Sequence, residues 1–282
     1  MPIAVTTTVD DTRQAIARVQ KQSVGVVPTM GALHEGHGSL IRIAREECDF
    51  VVVTIFVNPT QFGPNEDLDR YPRTWNADVK MCEAEGADLI FAPQPETIYP
   101  PGYRTYVEVH ELQSVLCGAS RPTHFRGVTT VVLKLLHIVQ PDVCYLGQKD
   151  AQQCRVLMRM AEDLNLTVRM RICPIVREPD GLAMSSRNRY LKRNEREQAV
   201  ALFHSLEEVQ HRIEEGERDA TNLQHLLQSR LEAVPGGRLD YAQIVDFDTL
   251  TPLSALSGTV LVAVAVYFGD TRLIDNLLLT VE

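Results

Sequence analysis

Apolar and polar positions follow two rhythms along this 282-residue chain. Short, almost unbroken apolar runs recur at Ser23–Pro28, Phe50–Val57, Asp88–Ala92, Asp142–Gly147 and Thr167–Cys173. Runs of strand length with no polar face predict strands of a parallel sheet covered on both sides. Between them, Ser39–Cys48, Asn76–Glu85, Val128–Val139 and Ala151–Leu164 carry apolar residues at helical spacing. This alternation predicts right-handed crossovers and a Rossmann-like, doubly wound α/β sheet. With the five runs ordered 3-2-1-4-5, the run ending at Pro28 lies beside the one ending at Gly147. That junction is the topological switch point, where a crevice opens at the carboxyl ends of the strands.

The rhythm changes after Pro174. Two polar helices rich in Glu, Gln and Arg fill residues 193–233, divided near Glu215-Gly216-Glu217 and closed by Pro235-Gly236-Gly237. Three strands follow over Asp240–Phe247, Thr259–Phe268 and Arg272–Thr280, with a Gly269-Asp270 turn before the last. The expected division is a catalytic α/β domain over 1–175 and a smaller C-terminal α+β lid domain over 176–282. The latter combines helices with a three-stranded antiparallel sheet.

Composition narrows the class. Hydrophobic residues at 44% and charged residues at 23% describe an ordinary globular protein. No run approaches the ~18 apolar residues of a membrane span, and the first residues lack a basic segment leading into an apolar one. A cytoplasmic protein is expected. The six cysteines form neither a CxxC pair nor a zinc spacing, which predicts reduced, packed thiols. A net charge of −9 argues against nucleic acid or membrane as partner, but not against an anionic small molecule. Arg121, Arg126, Lys149, Arg187 and Arg189 supply local positive charge in an acidic chain.

Candidate chemistry concentrates in the predicted loops. Met30-Gly31-Ala32-Leu33-His34-Glu35-Gly36-His37 follows the first strand. Its glycines would let backbone N–H groups approach an anion, and a helix starting near His37 would add its positive end. The plain alternative is a capping or hydrogen-bonded core histidine. A metal reading ranks lower, because helical zinc sites space histidines at i and i+4 and no third ligand is evident; no metal site is expected. Asn58 to Gly63 supplies uncharged donors and acceptors after the second strand, and Arg121 to Gly127 places two arginines and His124 ahead of a helix. Gly147-Gln148-Lys149-Asp150 ends the fourth run, where Lys149 suits a phosphate and Asp150 either a helix cap or a ribose. Met184-Ser185-Ser186-Arg187 lies at the domain joint and suits closure over a triphosphate; the plain alternative is a linker with turn chemistry. There is no Walker-type phosphate loop, and Ser185 has no evident partners for a nucleophilic triad.

These motifs together carry a resemblance. His34-x-Gly36-His37 is similar to the HIGH signature of the nucleotidyltransferase superfamily that includes class I aminoacyl-tRNA synthetases. Met184 to Arg187 looks like a short KMSKS loop. The series PTMGALHEGH, FVNPTQF, YPRT, RPTHFRGV, GQKDAQQ and DGLAMSSRNRYL, in this order through residues 24–191, resembles the pantoate–β-alanine ligase family. The resemblance implies that ATP adenylates pantoate with release of pyrophosphate, and that β-alanine then displaces AMP. It implies ATP on Met30 to His37, Gly147 to Asp150, Val176 and Met184 to Arg187. It further implies pantoate on Gln61 and Gln153 and β-alanine near Gln61. His34, His37 and Lys149 would act in catalysis, with His37 as proton donor. Mg²⁺ would travel with ATP, and a homodimer is expected. Gln148 and Cys117 stand where the family commonly has Glu, so neither can take a carboxylate's role. Two alternatives stay open: a nucleotidyltransferase acting on a phosphate ester, and a non-catalytic nucleotide-binding module.

Overall fold

The structure is a computed structural model that describes residues 3–64 and 66–282. Its larger sheet is all parallel, in the order β1-β4-β3-β2-β5-β6. The strands are β1 (Ala4–Thr6), β2 (Val24–Thr29), β3 (Phe50–Ile55), β4 (Leu89–Phe91), β5 (Val143–Gly147) and β6 (Arg169–Cys173). Helices α1 (Val9–Ala17), α2 (Glu35–Glu47), α3 (Trp75–Ala84), α4 (Pro95–Ile98), α5 (Cys117–Ser120), α6 (His124–Val139) and α7 (Ala151–Asp163) connect them. The five expected strands therefore stand in their expected order, with β1 added at one edge.

Two expectations change. β6 is not buried on both faces; it is the opposite edge strand, and its exposed Arg169 and Arg171 pair with Glu47. Charge on an edge strand blunts pairing with another chain. Helix α2 begins at Glu35 rather than near His37, with His34 as its N-cap.

The second sheet is antiparallel, β7 (Gly237–Asp246), β8 (Gly258–Phe268) and β9 (Thr271–Val281) in that order. Helices α8 (Arg193–Ala199), α9 (Ala201–Glu214) and α10 (Ala220–Glu232) accompany it, α8 and α9 being parted at Val200 within the first expected helix. Ile244, Val260, Val262, Val264 and Val266 pack with Leu202, Leu206, Leu223 and Leu227 of α9 and α10. Val245, Leu261 and Ala263 join instead the core around Leu135, Val156 and Leu157. Alternate residues of this sheet thus serve two cores, as the strand period of two requires.

The switch point is visible in the pairing. β2 matches β3 over six positions from Val24 to Thr29, but meets β5 only at Gly25 and Val26. Beyond those positions the ladder between β2 and β5 stops, which opens the crevice between the loops carrying His34 and Lys149.

Candidate active site

The His34 turn is built from within. Gly31 and Ala32 take positive φ, +78° and +51°, and reverse the chain after β2. Asp78 of α3 is buried and accepts the N–H of Ala32 at 3.0 Å and of Leu33 at 2.9 Å, while the Thr74 hydroxyl donates to it at 2.9 Å. The Gly31 N–H goes to the Thr29 hydroxyl at 3.2 Å. The backbone cradle for an anion expected at this turn is not formed, because these amides are already satisfied. Glu35 is exposed and its carboxylate pairs with Arg42, so it brings no side chain to the crevice.

The turn offers the histidine rings instead. Nδ1 of His34 accepts the Gly36 N–H at 3.2 Å, and Nδ1 of His37 accepts the His34 N–H at 3.3 Å. The proton of each neutral ring therefore sits on Nε2. The ring centroids lie 4.2 Å apart, and a Cβ at Gly36 would stand 2.9 Å from His34 Cε1, so only glycine admits this packing. Burial, reinforced by the positive charge of Lys149, lowers the His34 pKa to about 4. Burial followed by the charges of His34 and Lys149 lowers that of His37 to about 3. At neutral pH the pair presents two neutral N–H donors beside an ammonium.

Gln61, in the turn Pro59–Gln61 after β3, is buried. Its Oε1 accepts from Asn58 at 3.0 Å, and its Nε2 meets only the Met30 sulfur, at 2.8 Å. A thioether is a weak acceptor, so this amide keeps donor capacity for a ligand oxygen. Arg121 and His124, read from sequence as an anion loop, hold the Gln61 carbonyl at 3.3 and 2.9 Å. Arg121 also forks onto Glu66. Burial lowers the His124 pKa to about 4, Arg121 adding to the effect, so its Nδ1–H donates from a neutral ring.

A cavity of about 1100 Å³ brings together Lys149, Asp150, Gln153, Ser185 and Arg187 from three segments, closed on the far side by β9. Lys149 Nζ has Asp150 as a distant partner at 3.6 Å. His34, His37 and Gln61 are not on this cavity's wall but on the adjoining β2 and β3 loops, the histidines lying within electrostatic reach of Lys149. The chain from Val176 reaches the site as a narrow hairpin: the Met184 N–H donates to the Val176 carbonyl at 3.0 Å, and Arg177 bridges to Ala183. A Cβ at Gly36 would lie 3.9 Å from Met184 Cβ, so the His34 turn and the Met184 loop face one another. Arg187 forks onto Asp67 at 3.1 and 3.0 Å, and the Ser186 hydroxyl lies 3.3 Å from that of Tyr71. Both groups have protein partners, and Arg187 also borders the cavity.

Gln148 and Cys117 touch the second sheet. Gln148 Nε2 donates to Asn276 Oδ1 at 3.3 Å, and Cys117 Sγ lies 3.2 Å from the Tyr241 hydroxyl and 3.5 Å from the Arg272 guanidinium. All six cysteines are buried and free. Among the described residues, no group of three His, Cys, Asp or Glu side chains is placed to hold a metal ion. Sequence reasoning missed Asp78, Glu66, Asp67 and Asn276. Asp78 left a trace, since it shares the buried face of α3 with Cys82 one turn on.

A parallel α/β sheet with a paired-histidine turn, a lysine and a serine-arginine loop around its switch point defines a nucleotide-binding enzyme of Rossmann type. The chain belongs to the pantoate-beta-alanine ligase family, whose match covers residues 4–278. It is 53% identical over 271 residues to a pantothenate synthetase from Acetivibrio thermocellus, covering 95% of this chain and 96% of that protein. It is 55% identical over 262 residues to one from Thermotoga petrophila, covering 93% and 94%. Among solved structures, pantothenate synthetase from Thermus thermophilus matches with a TM-score of 0.93 at 44% identity, over 98% of this chain and 99% of that one. Pantoate-beta-alanine ligase from Francisella tularensis, complexed with beta-gamma ATP and beta-alanine, matches with a TM-score of 0.80 at 35% identity, over 98% and 97%.

Proposed function

We propose that the crevice between the β2 and β5 loops is where this chain activates a carboxylic acid with ATP and passes it to an amine. The reaction is that of the family: pantoate and β-alanine condense to pantothenate while ATP becomes AMP and diphosphate, through pantoyl adenylate. The carboxylate of pantoate attacks the α-phosphorus, forming an acyl–phosphate bond as the bond to diphosphate breaks. The amine of β-alanine then attacks the acyl carbon and AMP leaves. A carboxylate is ionised at neutral pH, so the first step needs no general base. It needs positioning and donors for the charge on the transferred phosphorus and leaving diphosphate.

The observation that carries this reading is the cluster of a cationic Lys149 beside two neutral imidazoles whose Nε2–H bonds are fixed by their Nδ1 contacts. In this assignment Lys149, His34 and His37 act on the phosphates, Mg²⁺ entering as part of the Mg-ATP substrate. Met30 to His37, Gly147 to Asp150, Val176 and Met184 to Arg187 surround the nucleotide. Gln61 and Gln153 hold pantoate, and Gln61 lies towards β-alanine. With its pKa near 3, His37 serves the free enzyme as a hydrogen-bond donor rather than an imidazolium acid. Arg187 reaches a triphosphate by exchanging Asp67 for phosphate oxygens.

The division at 175/176 into a nucleotide domain and a lid, a homodimer and a cytoplasmic setting complete the reading. Family resemblance supports the dimer, and a mass of one chain at all concentrations in light scattering would contradict it. No helix among the described residues is long and apolar enough to cross a membrane. Incubation with Mg-ATP, pantoate and β-alanine should yield AMP and pantothenate in equal amounts. ADP in place of AMP, or no amide product, would refute the assignment.

A further inference from the structure

The second sheet meets the Lys149 turn through Asn276. Asn276 of β9 is 3% exposed and, with Asp275, interrupts the apolar run from Leu273 to Leu279. Its Nδ2 donates to the carbonyls of Gln148 and Lys149, each at 3.0 Å, and its Oδ1 accepts from Gln148 Nε2 at 3.3 Å. Both amide hydrogens are thus committed to the backbone that carries Lys149. That backbone is a single turn, Gln148–Asp150, between β5 and α7. Asn276 thereby ties two successive carbonyls of this turn to β9.

Asn276 is itself fixed. Its N–H donates to Asp275 Oδ1 at 2.8 Å, and Asp275 forms a buried two-pronged pair with Arg177. Arg177 in turn donates to the Gly181 carbonyl at 3.0 Å, in the hairpin that delivers Met184 and Ser185. Neighbouring residues of one strand therefore brace the loops on both sides of the cavity. An aspartate at 276 would have nearly the same shape, yet would put oxygen against two carbonyl oxygens; the contacts require an amide.

We propose that Asn276 is a positioning residue that sets Lys149 for transfer of the nucleotidyl group. The inference rests on the assignment of Lys149 to the phosphates. Displacement of a catalytic group by about 1 Å from a remote change can cost about 10²-fold in rate, so the side chain need not touch substrate to matter.

The test is a double-mutant cycle on pantoyl adenylate formation. Wild type, Lys149→Ala, Asn276→Asp and the double variant are compared in single turnovers with enzyme in excess, which keeps slow rates measurable. Asn276→Asp alone should slow adenylation about 10- to 100-fold, with apparent affinities for Mg-ATP and pantoate changed less than about threefold. In the Lys149→Ala background the same substitution should change the rate by less than about threefold, because its effect passes through the missing ammonium. An equal loss in both backgrounds, as a general disturbance of the fold would give, overturns the inference. So does an unchanged rate in Asn276→Asp. A wild-type rate in Lys149→Ala instead overturns the phosphate assignment on which the inference stands.

Discussion

At the scale of single residues, the proposed site contains two groups whose protonation the fold fixes. His34 and His37 each spend Nδ1 on a backbone N–H and keep a proton on Nε2. Their pKa values fall from 6.5 to about 4 and about 3. The sign for stability follows: below pH 6.5 the unfolded chain takes up protons that the folded rings refuse. Stability from this pair is complete above pH 6.5 and is lost as pH falls towards 4 and then 3. The thermal midpoint should therefore drop between pH 7 and pH 4, and His37→Gln should flatten that drop; equal slopes in the two proteins would contradict it. The histidines and Lys149 stood out as candidates because unusual residues cluster beside turn signals, while Gln61 and Gln153 took their proposed role from the family resemblance. Asp78 and Asn276 were not, because a carboxylate in a helix and an amide in a strand read as solvent-facing until the partner loop is seen.

At the scale of elements, helix α6 shows how packing aims a polar group. Its Gly127 lies against the Gln61 turn: a Cβ there would overlap the Thr60 carbonyl and stand 2.6 Å from the Gln61 nitrogen. The Gly127 carbonyl accepts from Asn58, which in turn donates to Gln61 Oε1. Gly127→Ala should cost about 1–3 kcal/mol in denaturant unfolding and raise the KM for pantoate, with a smaller change for ATP. An unchanged KM for pantoate would show that Gln61 is not held for that substrate. Five strands and their order were readable from runs of strand length; β2 to β5 are buried and show no polar face, whereas β6 alternates because it lies at the edge. β1 was not, as three residues cannot display a period of two. α6 was read four residues short, because Gly127 looked like a boundary rather than a point of close approach.

At the scale of the whole molecule, the two sheets are less separate than the change of rhythm after Pro174 suggests. Val245, Phe247, Leu250, Leu261 and Ala263 belong to the same core as α6 and α7, and β9 holds the Lys149 turn. A second sheet so attached shares its packing with the first rather than standing apart from it. Calorimetry should give one unfolding transition for the ligand-free chain; two resolved transitions would restore independent domains. We place nucleotidyl transfer to a carboxylate at the β2–β5 crevice. The most direct test is pyrophosphate release, or exchange of labelled pyrophosphate into ATP, with Mg-ATP and pantoate but no β-alanine. Exchange should depend strictly on pantoate. Exchange without pantoate, or none with it, would contradict the assignment.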